Sequence, residues 1–159
     1  MKPHRILPHL ALVLAVAVAV IIMFPAPVTK DGQNTDSVCF LKSGGANCFI
    51  VEIARTSEEK ERGLMGRESM GERSGMLFIF GQEGSYGFWM KNMTMAIDLI
   101  FMGEDKKVVY IKPSAQPCAE DPCEIISPQQ KFMYVLEIGA GISDLLGIKE
   151  GVNASISVR

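Results

Sequence analysis

Past Val28 the chain has no histidine, because the two it contains, His4 and His9, sit near the N-terminus. Residues 29–159 therefore have no Ser-His-Asp or Cys-His nucleophile pair, no His-ligated zinc and no imidazole pH switch. Concentrated positive charge is missing too. Leaving out Lys2 and Arg5, 14 of the 16 basic residues remain past Val28, against all 18 acidic ones. Phosphate binding needs clustered Lys and Arg, so the balance argues against a nucleic-acid partner. No C-x-x-C occurs, which leaves catalytic thiol redox chemistry weakly supported. There is one tryptophan, and no internal repeat.

What is present begins with a membrane-directed segment. Lys2 and Arg5 precede an apolar run from Leu10 to Phe24, continued through Pro25, Ala26 and Pro27 to Val28. The shorter run has signal-peptide length; extended to Val28 it nears the roughly 20 residues that span a bilayer. The small-x-small candidates Ala15-Val16-Ala17 and Ala17-Val18-Ala19 lie inside the run, not after it, and no cysteine there offers lipid attachment. Residues 1–28 thus read as an N-terminal membrane anchor, with a cleaved signal peptide as the alternative. Either exports the rest, giving a cell membrane-anchored or secreted extracytoplasmic protein, and Lys2 and Arg5 favour that orientation. Residues 29–37 are polar and aperiodic and read as a flexible stalk. Residues 38–159 have the length of one domain.

Cysteine usage agrees with export. Cys39 and Cys48 flank a Ser43-Gly44-Gly45-Ala46-Asn47 turn, and Cys118 and Cys123 close a short loop between Pro117 and Glu124. Local pairing, Cys39 with Cys48 and Cys118 with Cys123, is the simplest of three connectivities. A four-cysteine zinc site would prefer closer pairs.

The pattern predicts a hairpin of Val38–Leu41 and Cys48–Ile53, with Phe49, Val51 and Ile53 on one face. Thr56 and Glu59 form a capping box for a helix over 57–65, with Gly66 as its C-cap. Strands follow at 75–80, 86–90, 95–102, 106–112 and 131–138, then a brief helix at 142–146 and a last strand at 152–158. About seven short strands and two short helices predict a mainly β, α+β domain. Its form would be a curled, mostly antiparallel sheet or partial barrel whose open ends the helices cover.

Several residues could carry chemistry. Alternation through Ile97–Met102 puts Asp98 on an apolar face, where a carboxylate needs a cation or several backbone donors; Arg62, Arg67 and Lys91 are the candidate cations by composition. Phe88 and Trp89 are adjacent in an extended segment, so one ring faces the core. If Trp89 is the outward one, it forms a platform beside Lys91 and Asn92 suited to stacking a sugar or heterocycle. Met90, Met93 and Met95 resemble a thioether site for Cu(I), although gap-filling is the commoner role of methionine. Asp98 with Glu137 is the carboxylate pair that a histidine-free hydrolase would use.

Several blocks also carry a family resemblance: Arg62-Gly63-Leu64-Met65 with Arg67, Gly75-Met76-Leu77-Phe78-Ile79-Phe80, Phe88-Trp89-Met90-Lys91-Asn92, Asp98, the Pro117-Cys118 to Pro122-Cys123 loop, Tyr134-Val135-Leu136-Glu137, and Gly147-Ile148-Lys149 to Gly151. Over about residues 54–152 the chain resembles domain-of-unknown-function family 192. The resemblance implies a small, β-rich, often exported fold and a set of residues worth testing, but no reaction. The Cys39–Cys48 hairpin falls outside that stretch and reads as a local addition. The family commonly has an apolar residue and proline where this chain has Met95-Ala96, which weakens the copper reading. Together these features predict a non-catalytic module that binds a small polar ligand such as a saccharide. The ligand would sit in a cleft near Arg62, Arg67, Trp89, Lys91, Asn92 and Asp98, with Met65 and Glu137 behind them. The alternatives are a structural or protein-interaction module of the cell envelope and the hydrolase. No cofactor is called for.

Overall fold

A computed structural model describes residues 35–159; the anchor or signal segment 1–28 and most of the stalk lie outside them. Among the described residues no helix is long and apolar enough to cross a membrane. In chain order the elements are β1 (Ser37–Lys42), β2 (Gly45–Ala54), α1 (Ser57–Arg62), β3 (Ser74–Gly84), β4 (Ile97–Met102), β5 (Val108–Ala115), β6 (Phe132–Gly139), α2 (Ile142–Leu145) and β7 (Ala154–Ser157). The sheet begins inside the expected stalk. Ser37 opens β1, and Asp36 accepts the Val51 and Arg159 N–H groups at 2.9 Å each.

The seven strands of the described residues form one sheet, ordered β5-β4-β6-β3-β2-β1-β7. Every pairing is antiparallel except β2 with β3, the two strands joined through α1. The sheet curls into a half-barrel. The residues just before its two end strands touch through the isolated Lys107–Asn153 bridge, supported by bonds from Val108 N to Val152 O at 2.9 Å and from Gly151 N to Val108 O at 2.8 Å.

Curling gives two cores. The inner one gathers residues such as Val38, Phe49, Leu77, Ile100, Met102 and Leu136, and Ile142 and Leu146 of the α2 region cover it. The outer one lies against the opposite sheet face, where Phe78, Phe101 and Phe132 meet Leu64, Phe88, Met90 and Ile126 from the covering segments. Its rings pack edge to face, Phe101 on Phe132 at 4.9 Å and Phe78 on Phe88 at 5.3 Å between centroids. β4 explains why an unbroken apolar run makes a strand here: all six of its residues are buried, because both faces of the sheet are covered.

The expected capping box is present. Glu59 Oε2 accepts the Thr56 and Arg55 N–H groups at 2.9 and 2.8 Å, and Thr56 Oγ1 accepts from Glu59 N at 3.2 Å. These backbone donors hold the Glu59 carboxyl below its usual range. The helix stops earlier than predicted, with Gly63 as C-cap. There φ is +46°, and a Cβ would meet the Phe78 ring at 3.2 Å, so this turn needs glycine to lie on the outer core. None of α1's own residues is buried, and its Lys60 reaches over the Phe80 ring at 4.8 Å to the centroid.

Both disulfides pair locally, Cys39 with Cys48 across the β1–β2 ladder and Cys118 with Cys123. Such bonds fit an oxidising, extracytoplasmic compartment. The strand expected at 86–90 is absent. The segment is extended and alternates inward and outward, but pairs only through the Phe88–Ile126 and Lys91–Cys118 bridges. Its neighbour is the proline-rich loop, whose Cys118 and Ile126 N–H groups reach the Met90 and Phe88 carbonyls at 2.9 and 2.7 Å.

Candidate functional site

The outer core is not filled solid. Between α1, the Ser85–Met93 segment and the sheet lies a cavity of 490 Å³, walled by Phe78, Phe80, Tyr86, Phe88, Trp89 and Met93 and entered past Lys60, Glu61 and Arg62. Phe80 and Tyr86 stack face to face at 3.9 Å between centroids. Inside the cavity lies Glu137, carried by β6 opposite Met76 of β3 and Leu99 of β4. It is 6 % exposed, and its Oε2 is buried without a hydrogen-bond partner among the described residues. Burial alone pushes its pKa up to about 8.

A shallower groove of 480 Å³ lies alongside, lined by Glu58, Glu61, Arg62, Met65, Trp89, Lys91 and Asn92. Trp89 belongs to both hollows and is 45 % exposed, so it is the outward ring, while Phe88 is buried in the core. The turn that carries the groove is docked firmly. Asn92 adopts φ +56°, its carbonyl accepts the Gly66 N–H at 3.0 Å, and its side-chain amide reaches Met65 Sδ at 3.9 Å. Arg62 makes no side-chain hydrogen bond among the described residues and exerts only a minor through-space pull on Glu52.

Of the residues read from the sequence, Arg62, Met65, Trp89, Lys91 and Asn92 converge on this groove, with Glu137 in the adjoining cavity. Two do not. Arg67 forms a two-pronged ion pair with Glu52 at 2.5 Å, which raises the arginine's pKa and lowers the carboxylate's. Its carbonyl also receives a short hydrogen bond from the Thr94 hydroxyl. Asp98 lies on the opposite sheet face and meets none of the expected cations. Fully buried, it accepts N–H groups from Ser114 at 2.8 Å, Gly141 at 2.9 Å and Ser143 at 2.9 Å, and the Ser143 hydroxyl at 2.7 Å. Those bonds join the β4–β5 bulge to the start of α2; Asp98 is a structural clamp.

The carboxylate pair of the hydrolase reading is therefore broken, since a sheet separates Asp98 from Glu137. Lys91, although it lines the groove, is engaged by Asp121 at 2.8 Å. Met90, Met93 and Met95 pack on the outer core, as gap-filling methionines do. Phe80 and Tyr86 form walls that the sequence reading passed over; only their spacing on the covered face could have marked them.

Fold and site define a class: a disulfide-bonded, half-barrel β domain with an aromatic cavity on the outer face of its sheet and a buried, unpaired carboxyl inside. Residues 39–156 match the profile of DUF192, described as Uncharacterized ACR, and the chain belongs to that family. The match includes Cys39 and Cys48, so the first hairpin is part of the family's span and not a local addition. Among solved structures, a Sinorhizobium meliloti protein described as a "putative transcription regulator" is similar at 32% identity, with a TM-score of 0.71, covering 77% of this chain and 93% of its own. A Novosphingobium aromaticivorans protein of unknown function is similar at 34% identity and a TM-score of 0.69, covering 75% of this chain and 83% of its own. No curated protein matches the chain.

Proposed function

We propose that this domain is a non-catalytic, extracytoplasmic binding module, tethered through residues 1–28, that holds a small polar ligand with an apolar body. One observation carries the reading: a carboxyl oxygen buried without a partner inside an open cavity of 490 Å³. An unpaired buried polar group destabilises the free protein by roughly 1–3 kcal/mol, a cost that a ligand supplying the missing partner would relieve. Pockets of this size with aromatic walls and few polar groups suit small molecules. A saccharide would fit the outer groove, where the Trp89 face, the Asn92 amide and Arg62 meet, while the cavity behind accepts a hydrocarbon or aromatic part. The acidic balance of the chain speaks against carrying the description of the Sinorhizobium protein over to a DNA partner.

A thermal-shift screen of the protein against sugars, nucleotides, peptides and amines tests this. A binder should raise Tm. Arg62→Gln and Trp89→Ala should cut that rise, and Arg62→Gln should leave the ligand-free Tm nearly unchanged, since its side chain is exposed. If no ligand shifts the melt and both variants unfold at lower temperature, these residues brace an envelope interaction module instead.

A further inference from the structure

We propose that the cavity selects ligands bearing an organic ammonium group, which seats against Glu137 while the rings enclose the carbon next to the nitrogen. The proposal rests on the reading of the cavity as a ligand site and adds the charge of the ligand's buried end.

Three features of the cavity point to a cation. First, among the described residues no cation pairs with Glu137. Lys60 donates to the Arg55 carbonyl at 2.6 Å, Lys91 is paired with Asp121, and neither they nor Arg62 perturb the Glu137 carboxyl, whose shift comes from burial alone. Its cross-strand neighbours, Met76 and Leu99, are apolar. Second, the walls are rings, whose faces attract cations. Lys60 Nζ, placed 4.8 Å from the Phe80 centroid, shows that this wall already receives an ammonium. Third, an anion would have to be desolvated beside a carboxyl, and a neutral acceptor would use the carboxyl proton without the charge attraction of the ring faces. The charged groups of α1 that line the cavity are Lys60, Glu61 and Arg62.

The chemistry has a signature. At neutral pH free Glu137 is mostly protonated; an ammonium ligand binds the carboxylate, so the carboxyl proton leaves to solvent as the complex forms. Affinity for the cation should then rise roughly tenfold per pH unit up to about 8 and level off above it.

Isothermal titration of the full-length protein with 2-phenylethylamine, 2-phenylethanol and phenylacetate, at several pH values and in buffers of different ionisation enthalpy, tests the proposal. The amine should bind most tightly, gain affinity as pH rises, and release about one proton below the carboxyl's pKa. Glu137→Gln should weaken the amine at least tenfold and leave the alcohol little changed. The pH dependence in the unmodified protein needs no variant and stands if Glu137→Gln fails to fold. If the alcohol binds as well as the amine, or amine affinity does not change with pH, ammonium selection is wrong while the cavity remains a ligand site. If none of the three binds at millimolar concentration, the proposal and the reading beneath it fall together.

Discussion

Asp98 faces Ile138 and Glu137 faces Leu99 across the β4–β6 ladder, so two carboxyls one register step apart point to opposite faces of the sheet. What separates their roles is the supply of donors. Asp98 receives four hydrogen bonds, whereas Glu137 Oε2 receives none. Asp98→Asn would leave an amide facing donors that need an acceptor, so it should destabilise the fold by about 3 kcal/mol, read as a lower urea midpoint. Alternation in Ile97–Met102 made Asp98's buried, partner-seeking position legible. Its actual partners were not, because Ser114, Gly141 and Ser143 are distant in sequence and meet it through a bulge and a helix start. For Trp89 the pattern left two orientations open, and the bridge of Phe88 to Ile126 selects the outward one.

At the scale of elements, local signals carried far. The Thr56–Glu59 box and the Gly44-Gly45 hairpin need only near neighbours in the chain, and each forms where the pattern places it. The parallel β2–β3 pairing and the position of α1 depend on how the sheet curls, which no short window encodes. The segment at 86–90 has a strand's alternation without a strand's partner. Because α1 presents Lys60 and Arg62 at the cavity mouth, its stability should matter for binding. Thr56→Ala should cost about 1 kcal/mol in global stability and weaken any cavity ligand as the helix start frays, measured by denaturant unfolding and titration of the same variant.

Over the whole molecule, the half-barrel needs two cores, and the outer one closes incompletely around Glu137. That arrangement carries a pH signature. In the unfolded chain Glu137 would ionise near its ordinary 4.5, whereas in the folded protein it holds its proton up to about 8. Between those values the folded state binds more protons, so this group's contribution is full below 4.5 and declines as pH rises to about 8, by at most about 1.4 kcal/mol per pH unit. The candidate groove was largely legible, because its residues fall in short blocks. The cavity was not, since its rings come from β3 and the 85–93 segment, its carboxyl comes from β6, and they converge only once the sheet has curled. The most direct measurement is a carbon-detected NMR titration of the Glu137 side-chain carboxyl. A midpoint near 8 in the free protein, moving down when 2-phenylethylamine is added, is the predicted result; a midpoint in the ordinary carboxylate range, unmoved by the amine, would contradict the account.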